Sequence, residues 1–88
     1  MDDLVLKKSE NAVERFGEDE LLLFDSSLGK LFEVNETGKE IWKLCEGKHT
    51  VKKIKESLRD EFGDIEDIDK DVSDFLNKLL ELNLIEVC

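Results

Sequence analysis

The sequence contains no proline, a single histidine and only two cysteines, and each scarcity closes off a class of function. Two cysteines cannot make a disulfide framework, and nothing pairs them at metal-ligand spacing. One histidine leaves acid–base or nucleophilic catalysis without its commonest participant. His49 lies in a segment from Gly47 to Thr50 that reads as a turn, with no cysteine or serine partner legible beside it. Basic residues are also in short supply: 13 Lys and Arg against 23 Asp and Glu give a net charge of −10. Such a surface repels phosphate backbones and anionic headgroups, so neither nucleic acid nor a membrane is the expected partner. No apolar run approaches the roughly 18–20 residues of a membrane span. The first six residues lack the basic stretch and long apolar run of a secretory signal. There is no Gly/Ser linker and no internal repeat. The expectation is one soluble, cytoplasmic, non-enzymatic domain with no cofactor.

What is present is a chain of 88 residues, 40% apolar, punctuated by Gly17, Gly29, Gly38, Gly47 and Gly63. Residues 20–25 (ELLLFD) and 30–34 (KLFEV) flank the polar Ser26-Ser27-Leu28-Gly29 and read as a β-hairpin. Residues 11–16 make a weaker third strand, joined through Gly17-Glu18-Asp19. The first ten residues are either a mobile arm or a first strand, and the domain proper is drawn at residues 11–88. After Val34 the apolar period changes from two to 3.6. Asn35 suits the N-cap of a helix running to about Glu46, with Gly47 as its stop. Thr50 can cap a second helix carrying Val51, Ile54, Leu58 and Phe62 on one stripe and ending at Gly63. A third starts between Ile65 and Asp69 and runs to about Leu82, with Val72, Phe75, Leu76 and Leu79 recurring at three and four. Residues 84–87 form a short apolar tail. Strands first and helices second argue for an α+β fold: a three-stranded antiparallel β-meander followed by three helices, winged helix-turn-helix-like.

The remaining chemistry is sparse. Cys45 follows Trp42 by three residues on the apolar side of the first helix and reads as an inert buried thiol. Cys88 has no basic neighbour to activate it. Asp64, Glu66, Asp67, Asp69 and Asp71 superficially resemble a calcium loop, but Ile65 and Ile68 interrupt them and the central glycine is missing. Negative charge at a helix N-terminus is the ordinary explanation. A DNA-reading third helix would need basic and amide side chains; this one carries Asp67, Asp69, Asp71, Asp74 and Glu81 against Lys70 and Lys78. The hairpin is more informative. Leu21, Leu22, Leu23 and Phe24 put apolar groups on both faces of one strand, and Leu31 and Phe32 repeat this in the next. In sequence order residues 30–34 form an edge strand, guarded only by Lys30 and Glu33. An apolar edge beside an amphipathic helix could accept an extended peptide as a further strand, or could be buried by the N-terminal residues or a second copy.

Five blocks in order, residues 25–35, 37–42, 47–54, 71–79 and 84–85, together resemble the PqqD-like family, the RiPP recognition elements that bind leader regions of ribosomally made, post-translationally modified peptides. Asp25-Ser26-Ser27-Leu28-Gly29-Lys30-Leu31-Phe32-Glu33-Val34-Asn35 is similar to the family's D-x-x-x-G-x-aromatic-aromatic-x-L-N. Thr37-Gly38-Lys39-Glu40-Ile41-Trp42 and Gly47-Lys48-His49-Thr50-Val51-Lys52-Lys53-Ile54 resemble the two blocks that follow. Asp71-Val72-Ser73-Asp74-Phe75-Leu76-Asn77-Lys78-Leu79 is similar to D-V-x-x-F-L-x-x-L, and Leu84-Ile85 to the closing G-L-I/L. Leu31 stands where an aromatic is common, and Asn83 replaces the usual glycine.

The resemblance implies a non-catalytic peptide-binding module serving a modifying enzyme, a radical SAM protein or a leader protease. It implies that the leader adds antiparallel to the strand Lys30, Leu31, Phe32, Glu33 and Val34. The helix wall it implies is Asp69, Val72, Ser73 and Leu76. The alternatives are a dimerisation or protein–protein module using the same edge, with a homodimer as the partner, and a winged-helix DNA binder.

Overall fold

The computed structural model describes residues 2–18, 20–27, 29–63 and 67–88. Asp19, Leu28, Asp64, Ile65 and Glu66, named above for turns, an acidic cluster and a helix start, lie outside the described residues. The elements are β1 (Val5–Lys8), β2 (Ala12–Phe16), β3 (Leu21–Asp25), β4 (Leu31–Val34), α1 (Glu36–Leu44), β5 (Glu46–Thr50), α2 (Val51–Phe62), α3 (Ile68–Glu81) and β6 (Ile85–Val87). They form two antiparallel three-stranded sheets, β5-β1-β6 and β2-β3-β4. The α+β class and the meander ahead of the helices stand. The strand count does not: the described residues form six strands in two sheets where the sequence led us to expect three strands in one.

The second sheet explains the difference. Of the two possibilities for the first ten residues, the structure has the strand: β1 lies between β5 and β6, with Leu6 fully buried. The core therefore does not begin at residue 11. β5 takes residues expected to form a turn, so His49 sits in a strand, 3.8 Å from Glu46. That segment has no apolar alternation to announce it. It is a strand because β1 offers it a backbone ladder, across a register irregularity between Val5 and Lys7. Accordingly α1 stops at Leu44, with Cys45 rather than Gly47 at its end. Near the N-terminus, Lys55 hydrogen-bonds Asp2 at 2.8 Å and holds its carboxyl below the usual value.

Local chemistry sets the other boundaries as expected. Asn35 accepts from the Gly38 N–H at 2.8 Å and Thr50 from the Lys53 N–H at 3.2 Å. Gly63, at φ 84°, terminates α2. At the hairpin, Asp25 accepts from Ser27 N–H and Oγ, and Gly29, at φ 71°, donates to the Asp25 carbonyl at 2.7 Å. This is the physical content of the D-x-x-x-G block: an Asx turn closed by a left-handed residue. The glycine replaced by Asn83 is equally intelligible. Asn83 has φ 59°, the left-handed conformation that ends a helix, which asparagine tolerates better than most residues.

One core joins both sheets to the helices: Leu6 of β1, Leu21 and Leu23 of β3, Ile41 and Trp42 of α1, Ile54 and Leu58 of α2, Val72, Leu76 and Leu79 of α3. Trp42 also carries a polar link. Its Nε1 donates to the Glu14 carboxylate of β2, Lys8 of β1 pairs with Glu14 at 3.4 Å, and the Lys8 ammonium lies 5.1 Å from the indole centroid. Both sheets are thus tied to α1.

Candidate functional site

β4 has β3 on one side and no strand on the other among the described residues. The pairing is Leu21 with Val34, Leu22 with Glu33, Leu23 with Phe32 and Phe24 with Leu31. The Asp25 N–H donates to the Lys30 carbonyl at 3.0 Å, which sets the phase of this ladder. Antiparallel main-chain groups alternate in direction along a strand. Lys30, Phe32 and Val34 therefore turn their main-chain groups towards β3, whereas Leu31 and Glu33 direct N–H and C=O to the open edge. β2 is the sheet's other edge, but Glu14 there is engaged by Lys8 and Trp42.

The floor beside the open edge is aromatic. Phe32, half-buried on the inward face of β4, lies 6.2 Å from the Phe75 ring of α3, tilted by 31°. Gly38 lets α1 come this close, since a Cβ there would collide with Val34 Cγ1 and meet the Phe75 ring at 3.0 Å. Beyond Phe75 a cavity of about 380 Å³ continues between α1 and the ends of α2 and α3, with Ile41, Phe62 and Ile68 apolar and Asp71 and Asp74 acidic. A wide depression on the other side of the same strand end is lined by Glu18, Glu20, Glu33 and Glu36. The groove has an apolar floor, carboxylate flanks and a vacant ladder on one side. It can hold an extended chain by main-chain hydrogen bonds and take alternate side chains into the floor.

The strand residues named from sequence come together here: Leu31 and Glu33 exposed, Phe32 half-buried, Val34 buried and Lys30 exposed just before the strand. The helix residues do not. Val72 and Leu76 are wholly buried core, with no surface left for a peptide. Asp69 pairs with Arg59 of α2 at 3.2 Å. At 3.6 residues per turn, Asp69 and Ser73 lie on the opposite side of the buried stripe from Asp71 and Phe75. The helix side of the groove is Asp71, Asp74 and Phe75. Sequence reasoning assigned Phe75 to the core because it shares the three-and-four spacing. The signal available was its place at the margin of the stripe, next to Asp71 and away from Ser73.

Among the described residues no group of three or more His, Cys, Asp or Glu is arranged to hold a metal ion, and no helix is long and apolar enough to cross a membrane. Burial pushes the Cys45 thiol up to about 12, which suits a core residue rather than a nucleophile.

Comparisons with known proteins agree with this fold. A search of curated protein sequences returned no match. Among solved structures, TbiB1 in complex with the TbiA(beta) leader peptide superposes with a TM-score of 0.80 at 27% identity, covering 91% of this chain and 94% of that one. A lasso peptide synthetase B1 complexed with the leader peptide has the same fold, with a TM-score of 0.79 at 17% identity over 93% of this chain and 98% of that one. The family model for coenzyme PQQ synthesis protein D (PqqD) matches residues 20–85, from the start of the hairpin into β6, and the chain belongs to that family.

Proposed function

We propose that this protein is a peptide chaperone: it binds the leader of a ribosomally made precursor peptide as an additional antiparallel strand on β4 and presents the rest to a maturation enzyme. The observation that carries this reading is the pair of outward main-chain positions, Leu31 and Glu33, set beside the Phe32–Phe75 floor. The leader complexes of the structural neighbours support it. Main-chain pairing supplies affinity that tolerates sequence variation, and the floor selects apolar or aromatic residues at alternate positions. In the antiparallel orientation the leader's N-terminal portion passes Val34, between Glu33 and Glu36 on one side and Asp71 and Asp74 on the other. Basic residues there complement the carboxylates. The module works in the cytoplasm, where the precursor is translated, and performs no chemistry itself. Its client is a radical SAM enzyme or a leader protease.

The test is an NMR titration with the leader half of a precursor peptide encoded beside this chain's gene. The amides of Leu31 and Glu33 and the ring signals of Phe32 and Phe75 are expected to shift at micromolar peptide. Shifts confined to β1, β5 and β6 would reject β4 as the site. Handover is read separately, as faster processing of the full precursor by its enzyme when this chain is added.

A further inference from the structure

The face of β2-β3-β4 that turns away from the helices takes no part in the groove floor. Two cross-strand rows form it: Val13, Phe24 and Leu31 in one, Arg15, Leu22 and Glu33 in the other. Val13, Phe24 and Leu31 are 50%, 38% and 65% exposed, and a shallow cavity of about 410 Å³ lies over the face. In a chain of net charge −10, these six residues carry one cation and one anion and sum to zero. Neither Arg15 nor Glu33 forms an ion pair among the described residues. Within these two rows a second acidic molecule meets no net charge, while Glu18, Glu20 and Glu36 confine like charge to the Glu33 end of the face.

We propose that two copies of this chain stack these faces as an isologous dimer whose two-fold axis runs along β3. Rotation about that axis lays β2 of one copy over β4 of the other and keeps each row in register. Arg15 then meets the partner's Glu33 twice over, Val13 meets the partner's Leu31, and Leu22 and Phe24 each meet their own counterparts. A two-fold across the strands would instead set Arg15 and Glu33 against apolar residues, which costs desolvation without a partner. Aligned stacking is the ordinary geometry for two sheets sharing an apolar layer about 10 Å thick. Two rows of three residues fall short of the roughly 800 Å² per partner of a standard interface, so the dimer is reversible. The arrangement leaves both β4 edges open, on opposite sides of the sandwich.

The test uses the free chain, without peptide, so its outcome is independent of leader binding. Sedimentation equilibrium at about 0.15 M salt, where charges more than about 8 Å apart are largely screened, is run from about 20 µM to about 1 mM. The weight-average mass is expected to rise from 10.2 kDa towards twice that value. Arg15→Glu and Glu33→Arg are each expected to weaken association at least about ten-fold, a step of about 1.4 kcal/mol. The double exchange R15E/E33R is expected to restore it to within about three-fold of the parent. Leu31→Asp, on an exposed position, is expected to abolish it with an unchanged circular dichroism spectrum. A parent chain that is monomeric at about 1 mM, single variants that associate like the parent, or a double exchange that stays monomeric would each overturn the proposal.

Discussion

Proline at position 33 isolates the main-chain part of peptide capture from everything else in the site. By the phase of the ladder, the Glu33 N–H points to the open edge and takes no part in the pairing of β4 with β3. Glu33→Pro therefore removes a donor that the fold does not use. The preceding Phe32 is already in a strand, the conformation a residue before proline prefers, and proline's φ falls at the margin of the β region. The folded state should change by no more than about 1 kcal/mol, as exposed edge positions generally do. The incoming peptide loses more. One of its carbonyls is left facing a ring instead of an N–H, at a cost of about 1–3 kcal/mol, or roughly 5- to 150-fold in Kd at 1.4 kcal/mol per decade. Glu33→Ala removes the side chain and keeps the donor, so its affinity should stay within about five-fold of the parent, the loss of one exposed charge being worth about 1 kcal/mol or less. Calorimetric titration of the leader peptide into the three proteins, with urea midpoints measured in parallel, separates the effects. Equal affinities for the proline and alanine variants would show that β4 is not the strand to which the peptide adds.

Three further outcomes follow from the packing. Leu76→Asp places a carboxylate in a fully buried position and should cost about 4 kcal/mol or more, seen as loss of the cooperative urea transition; a folded variant with impaired binding would return Leu76 to the groove. Asn83→Gly relieves a left-handed residue and should raise stability by about 0.5–1 kcal/mol in the same assay; a lowered midpoint would mean the asparagine side chain makes the helix exit. The Cys45 thiol, pushed to about 12 by burial, should resist iodoacetamide at pH 8 while exposed Cys88 reacts, and both should react in urea, as mass spectrometry resolves. Because the unfolded thiol ionises first, near 9, Cys45 favours folding fully below that pH and progressively less between about 9 and 12.

Much of this protein was legible because it is written locally. The caps at Asn35 and Thr50, the left-handed stop at Gly63, the hairpin turn with its Gly29 and the 3.6-residue stripes of α2 and α3 depend on residues a few positions apart, and sequence displays such relations directly. Composition was equally direct about charge. The second sheet was illegible for the opposite reason. β5 is a polar segment with no alternation, and it becomes a strand only where β1, about forty residues away, presents a ladder to it.

The site divides along the same line. The open edge of β4 followed from sequence order and the apolar pattern of residues 30–34. Which flank of α3 faces that edge was decided by tertiary packing. The stripe Ile68, Val72, Leu76 and Leu79 marks what is buried but not which margin meets β4 and which meets α2. Arg59 draws Asp69 to one side and Gly38 admits Phe75 on the other. Both contacts join separate elements, and a helix's own periodicity holds no information about its neighbours.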